Sequence, residues 1–348
     1  MANPAERIII SESELAPFVT AKNPAGRAHG LLLQQKEVWE LLRTDYNSLQ
    51  SVRTRVFEFD GSQIKVQFNP GRMTSTAAKV DPTSIRERKC FLCLENLPGA
   101  QRGILCDGEF LVLCNPFPIF PEHFTIAFLR HTPQLIRESF AEFLNLTREL
   151  GTRYLVLYNG PKCGASAPDH LHFQAGNRSF LPIHAEYAAM TTGDASRLFE
   201  SASLRACAVD KCLRRFISFE SADAGVLVRA FGALYEVLQN FSPSGDEPML
   251  NILGFYGSDQ WRILVFPRAK HRPSFYFKEG EEKMLISPAA VELGGICTTP
   301  REQDFERVTR ERIVEMYNEI CVSAERFAAI KARLASKIAA LAEAPDRK

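Results

Sequence analysis

Two imidazoles and a carboxamide alternate with two apolar side chains in the run His170-Leu171-His172-Phe173-Gln174. In an extended chain, residues two apart share a face, so His170, His172 and Gln174 are expected to point one way while Leu171 and Phe173 point the other. A single buried histidine usually just satisfies its core. Two histidines and an amide on one face call for a polar occupant. The loop before them, "NGPKCGAS", carries Gly160 and Gly164, where backbone N–H groups can approach an anion with no Cβ in the way. Lys162 and Ser166 add a cation and a hydroxyl to that loop.

A second constellation is "KCFLC", in which Cys90 and Cys93 have the two-residue gap that metal sites favour. One such pair supplies two of the four ligands a structural zinc prefers, and the alternative is two small side chains in a reduced core. The chain holds nine cysteines. That odd number, with no export signal in "MANPAERIIISESELAPF", suggests free thiols and a cytoplasmic location.

The elements that must position these groups can be read from periodicity and turn chemistry. Residues 28–48 read as an amphipathic helix. "VRTRVFEF" and "QIKVQF" read as a hairpin turned at Asp60-Gly61. "FLVLCN" and "HFTIAFL" read as buried strands joined by the proline-punctuated "PFPIFPE". Thr132 as a cap, Pro133 at the first helical position and Gly151 at the end predict a helix over 132–151. "RYLVLYNG" is then a strand leading into the histidine segment. After 188–203, read as a linker, a similar order recurs: "CLRRFISFES", a helix near 222–240, strands near 249–254 and 261–266, and helices near 301–318 and 323–344. The implied organisation is an N-terminal helical segment (1–50), a catalytic half (51–188) and a second half (204–348).

Composition sets the outer limits. With 348 residues, 45% apolar, 24% charged and a net charge of +1, the chain reads as an ordinary globular protein of one or two compact units. There is no basic excess to suggest a nucleic-acid partner, and no apolar run long enough for a membrane span.

"SAPDHLHFQ" resembles the His-x-His-x-Gln signature of the transferase branch of the histidine triad superfamily, which includes galactose-1-phosphate uridylyltransferase and diadenosine tetraphosphate phosphorylase. "NPFPIFPEHFTIAF", "CFLC" and "WRILVFPRAKH" match further segments in order. At the finest level, "FNPGRMTSTAAKVD", "NGPKCGASAPDH" and "LISPAAVELGG" are similar to an uncharacterised bacterial subfamily of that branch. One departure is the three residues between Ser166 and His170, one more than in the relatives.

The resemblance implies an α+β protein of two histidine-triad-like halves, with antiparallel sheets and packed helices. It implies a nucleotidyltransferase or phosphorylase acting on a nucleotide sugar or dinucleoside polyphosphate, in which His172 attacks the α-phosphorus. A neutral imidazole can do so when its other nitrogen's proton is held by an acceptor. Gln174 would donate to a non-bridging phosphate oxygen, and because it cannot titrate, transfer is expected over hydrolysis. A nucleotide hydrolase and a non-catalytic nucleotide-binding protein are the alternatives. Asn159, Lys162, Gly164, Ser166 and Arg72 form the expected substrate-binding set, with Lys79 and Arg268 as weaker phosphate partners. Zinc is expected on Cys90, Cys93, His131 and His170, with His123 second to His131. A phosphate-bearing acceptor and a homodimer are the partners the family implies.

Overall fold

The computed structural model describes residues 4–77, 80–193, 197–243 and 245–343. A hairpin comes first: β1 (Arg53–Phe59) and β2 (Ser62–Phe68) pair antiparallel, Phe59 opposite Ser62. Asp60 and Gly61 both take positive φ (45° and 84°), as a two-residue hairpin turn demands. The remaining strands of the first half are β3 (Gly103–Cys106), β4 (Phe110–Cys114), β5 (His123–Phe128), β6 (Tyr154–Asn159) and β7 (His172–Asn177). Those of the second are β8 (Arg197–Glu200), β9 (Arg205–Lys211), β10 (Arg214–Ser221), β11 (Leu250–Gly257) and β12 (Gln260–Pro267). A last strand, β13 (Ile296–Thr299), lies parallel to β2 and makes the hairpin a three-stranded sheet.

Among the described residues, β3 to β12 form one ten-stranded sheet in the order β3-β4-β5-β7-β6-β11-β12-β10-β9-β8. Read from either outer edge, the order is first, second, third, fifth and fourth strand, with the helix Phe140–Leu150 or Ala224–Gln239 between third and fourth. The two halves are thus the same topology twice. They are hydrogen-bonded to each other through the antiparallel pair β6 and β11, from Asn159 opposite Asn251 to Val156 opposite Gly254.

Helices cover one face of this sheet. Leu171, Phe173 and Ala175 of the first half, and Trp261, Ile263 and Val265 of the second, pack there with the helices Pro24–Val38, Phe140–Leu150, Ala224–Gln239 and Ala324–Glu343. The small sheet, the helix Pro182–Met190 and the segment 275–320 cover much of the other face. On the second half that face carries apolar side chains such as Phe216, Leu264 and Phe266 and a charged cluster in which Glu220 accepts from Arg205 (2.8 Å), Arg262 (3.1 Å) and the Tyr187 hydroxyl (2.9 Å). On the first half, the same face holds the site.

Several elements depart from the sequence expectations. The helix over 28–48 is two helices broken at Trp39, whose φ and ψ of −116° and 98° are extended. The predicted helix 301–318 likewise divides into Glu302–Arg307 and Arg310–Ile320. The stretch read as a linker contributes β8, so the second half's sheet begins before residue 204. The largest correction is at 132–136, which belongs to no helix; a 3-10 turn (Arg137–Ser139) follows it and the α-helix begins only at Phe140. Thr132 and Pro133 carry the chemistry of a helix start, but hydrogen bonds to the histidine strand outcompete it.

Candidate active site

β7 sits between β5 and β6, with Ala127 opposite His172 and Leu157 opposite Gln174. Its first residue is held from outside the sheet by Gln134. The Gln134 carboxamide oxygen accepts from the His172 N–H (2.7 Å), and its nitrogen donates to the carbonyls of His172 (2.9 Å) and Asn159 (3.0 Å). Leu171 N–H donates to the Thr132 carbonyl (2.7 Å). The 132–134 segment therefore clamps the start of β7, a role its sequence hid behind a helix-start signal.

His172 is 3% exposed. Its Nδ1 lies 2.8 Å from the His170 carbonyl, which can only accept, so Nδ1 carries the proton and Nε2 keeps a lone pair. Burial pushes the imidazole pKa down to about 4, so the ring is neutral. A neutral, oriented imidazole of this kind is a nucleophile.

Gln174 Oε1 lies 2.9 Å from His123 Nε2. Gln174, Ser166 and Ser75 line two cavities at once. One is an apolar cleft of about 420 Å³, which also includes His172, Trp39, Phe91 and Phe117 in its walls. The other, of about 60 Å³, is polar, with Arg72, His271, Arg272 and Thr298 around it.

Arg72 reaches this cavity from the turn after β2. Its Nη1 donates to the Phe117 carbonyl (2.6 Å), while Nε is enclosed and has no hydrogen-bond partner among the described residues. Burial lowers its pKa to about 10, so the guanidinium stays charged at neutral pH. Arg272 lies over the Tyr276 ring at 4.2 Å and bonds Ser287 Oγ (2.9 Å). Burial and the Arg272 and Arg268 charges push His271 down to about 3. Both residues come from the loop after β12, about a hundred positions beyond the histidine strand, and sequence reasoning missed them.

The expected binding set divides. Arg72, Asn159, Gly164 and Ser166 line the polar cavity. Asn159 Oδ1, however, is committed to Asn251 Nδ2 (2.8 Å) and the Ala290 N–H (2.9 Å), which tie the loop to the second half. Gly164, at φ 98°, packs so closely that a Cβ would stand 2.5 Å from that of Ala289. Lys162 lies elsewhere: its ammonium is 2.6 Å from Asp246 Oδ2, in a different cleft. Arg268 is likewise engaged elsewhere, since its guanidinium is spent on Asn251 and on the carbonyls of Lys270, His271, Pro288 and Ile320. Lys79 lies outside the described residues.

At the end of β5 nearest His172, Cys90, Cys93, His131 and His170 present one ligand atom each, all within 4.8 Å of one another. Cys90 Sγ to His170 Nδ1 is 3.3 Å, Cys93 Sγ to His131 Nδ1 is 3.3 Å, and Cys93 Sγ to His170 Nδ1 is 3.6 Å. Tetrahedral ligands at normal zinc distances stand about 3.3 to 3.8 Å apart, so the four fit a metal ion with little adjustment. His170 Nε2 donates to the Phe128 carbonyl (2.7 Å), which turns Nδ1 toward the cluster. Within the described residues His123 is not part of it; β5 carries that side chain to Gln174 instead.

Residues 31–177 match the family model DUF4922, a domain of unknown function, and residues 213–341 match the GDPGP1-like C-terminal domain. No curated protein matches the sequence. Among solved structures, yeast Ap4A phosphorylase Apa2 superposes with a TM-score of 0.53 at 17% identity, over 82% of this chain and 95% of its own. Its complex with Ap4A gives 0.52 at 17% identity, over 82% and 97%, and that with AMP gives 0.52 at 19%, over 84% and 96%. The fold is that of yeast Ap4A phosphorylase. The likeness to the Ap4A phosphorylase spans both halves, so the expected α+β, histidine-triad-like architecture holds across the chain. No helix among the described residues is long and apolar enough to cross a membrane.

Proposed function

We propose that this protein transfers a nucleotidyl group from a nucleoside diphosphate derivative to orthophosphate, through a covalent adduct on His172. The observation that carries this reading is the pair of unlike cavities meeting at Gln174, Ser166 and Ser75, with His172 in the wall of the apolar one. A cleft of about 420 Å³ with aromatic walls is of a size and polarity for a nucleoside. The cavity beside it is walled by the half-buried guanidiniums of Arg72 and Arg272 and by hydroxyls that suit phosphate, with the buried Glu292 carboxyl on the same wall.

In the first step Nε2 bonds to the α-phosphorus and the bond to the leaving phosphate breaks, while Nδ1 keeps its proton on the His170 carbonyl. In the second, an orthophosphate oxygen attacks the adduct, giving a nucleoside diphosphate and restoring His172. Gln174 donates to a non-bridging oxygen as charge builds there. The polar cavity is the smaller of the two, and we take orthophosphate, the most compact phosphate acceptor, as the group it receives.

Zinc on Cys90, Cys93, His131 and His170 would brace the turn two residues before His172 and supply no chemistry to the transfer. The test is to incubate the protein with nucleotide sugars and dinucleoside polyphosphates, detect the adduct by mass spectrometry, and chase it. Release that depends on orthophosphate, and is slow in buffer or with hexose phosphate, is the expected result. Fast release in acceptor-free buffer would overturn transfer in favour of hydrolysis.

A further inference from the structure

Gln174 can serve an oxyanion only if its NH2 group, and not its oxygen, faces the reacting phosphate, and a carboxamide alone has no preference between the two. The surrounding bonds settle the choice in sequence. The backbone N–H of Ile119 can only donate, and it lies 3.2 Å from His123 Nδ1. That nitrogen must therefore be the acceptor, which puts the single ring proton on Nε2. Nε2 lies 2.9 Å from the Gln174 side chain, so the atom of Gln174 facing it must be the oxygen. The NH2 group is thereby left for the boundary between the two cavities, which Gln174 lines.

Both the backbone and the ring of His123 are held. Tyr46 Oη donates to the His123 carbonyl (2.8 Å) and accepts from its N–H (3.1 Å). The Phe120 ring meets it edge-on at 5.1 Å, and Phe120 in turn presses on Gly176, the residue opposite His123 in β7, where a Cβ would be 2.4 Å from the aromatic ring. Burial, with the Arg72 charge next, pushes the imidazole pKa down to about 3, so the ring stays a neutral one-proton relay at any working pH.

We propose that His123 is a positioning residue that fixes the flip of the Gln174 amide, turning an orientation-indifferent side chain into a dedicated donor to the transferred phosphoryl group. The proposal rests on the reading of His172 and Gln174 as transfer machinery. It implies that the fixed backbone donor at Ile119 controls the polarity of the site two bonds away.

Three variants test it. His123→Asn keeps an acceptor for the Ile119 N–H but is too short to reach Gln174; His123→Gln spans the gap; His123→Leu does neither. For the rate of adduct formation we expect a tenfold to hundredfold loss in His123→Asn and His123→Leu, with nucleotide KM within about threefold of wild type, and only partial recovery in His123→Gln, whose own carboxamide donates to Gln174 in one of its two flips. In a Gln174→Ala background the same His123 substitutions should change the rate less than twofold, because the group they orient is gone. Equal losses in both backgrounds, or a folded His123→Asn protein at the wild-type rate, would overturn the proposal. If no substrate yields an adduct even in wild type, the transfer reading fails separately, and nitrogen chemical shifts of 15N-histidine-labelled protein still decide the orientation. A His123 ring protonated on Nε2 is expected; one protonated on Nδ1 would refute it.

Discussion

Glu247 joins the second half of the molecule to the clamp on His172, and its ionisation should make stability depend on pH. The carboxylate is 7% exposed and accepts from the Ile136 N–H (2.7 Å) and the Tyr158 hydroxyl (2.6 Å), which also lies 3.0 Å from the Gln134 carbonyl. Burial outweighs those two donors and raises the carboxyl from an ordinary 4.5 to about 7. A raised folded-state value means that the native protein holds the proton more tightly than the unfolded chain. The stabilising contribution is therefore fully present below about pH 4.5 and is lost as pH rises through 7. A shift of about 2.5 units at 1.36 kcal/mol each gives about 3 kcal/mol. Glu247→Gln removes the titration while keeping an acceptor for Ile136 and an NH2 that the Tyr158 oxygen can accept. Urea unfolding followed by the fluorescence of Trp39 and Trp261 would be run on both proteins from pH 5 to pH 8. The advantage of the glutamine variant should grow by about 2 to 3 kcal/mol across that range. A difference that stays constant within 1 kcal/mol would refute the assignment.

Three other outcomes are expected. His172→Ala should lose adduct formation while unfolding like wild type, whereas Leu171→Ala, on the opposite face in the helix-covered core, should cost about 2 to 5 kcal/mol of stability. Elemental analysis of untagged protein should find about one zinc per chain, lost in Cys90→Ser/Cys93→Ser and in His131→Ala but retained in His123→Ala. Arg72→Leu should raise the orthophosphate concentration needed to discharge the adduct by tenfold or more, and leave the nucleotide-dependent first step within a few-fold, as measured by separate loading and chase reactions.

What the sequence made legible was local. Alternation at Leu171, His172, Phe173 and Gln174 named the correct faces because a strand's period is fixed by its backbone. Asp60-Gly61 named a hairpin because only a few residue pairs accept two positive φ values. Cys90 and Cys93 were visible by their spacing, but His131 and His170 were assigned only through the family resemblance. What stayed hidden depended on contacts across long stretches of chain. Gln134 reads as part of a helix until its partners at 159 and 172 are known. Arg272 and His271 reach the polar cavity through the loop after β12, and Lys162 looks like a phosphate ligand until Asp246 takes its charge. His123 ranks second to His131 as a metal ligand through the family resemblance, and only the register of β5 against β7 shows that it meets Gln174.

The bonded seam between β6 and β11 has a mechanical consequence. Enzymes that close two lobes over a substrate need a hinge between them, and here the would-be hinge line is the middle of a continuous sheet, stitched from Val156 to Asn159. Bending there would break sheet hydrogen bonds next to the loop that Asn159 and Asn251 tie down. The sheet's own hydrogen bonds therefore oppose bending along that line, and side chains and cavity-lining loops are left freer to move. A frame of this kind sets the distance between the two cavities when the chain folds, before anything enters them.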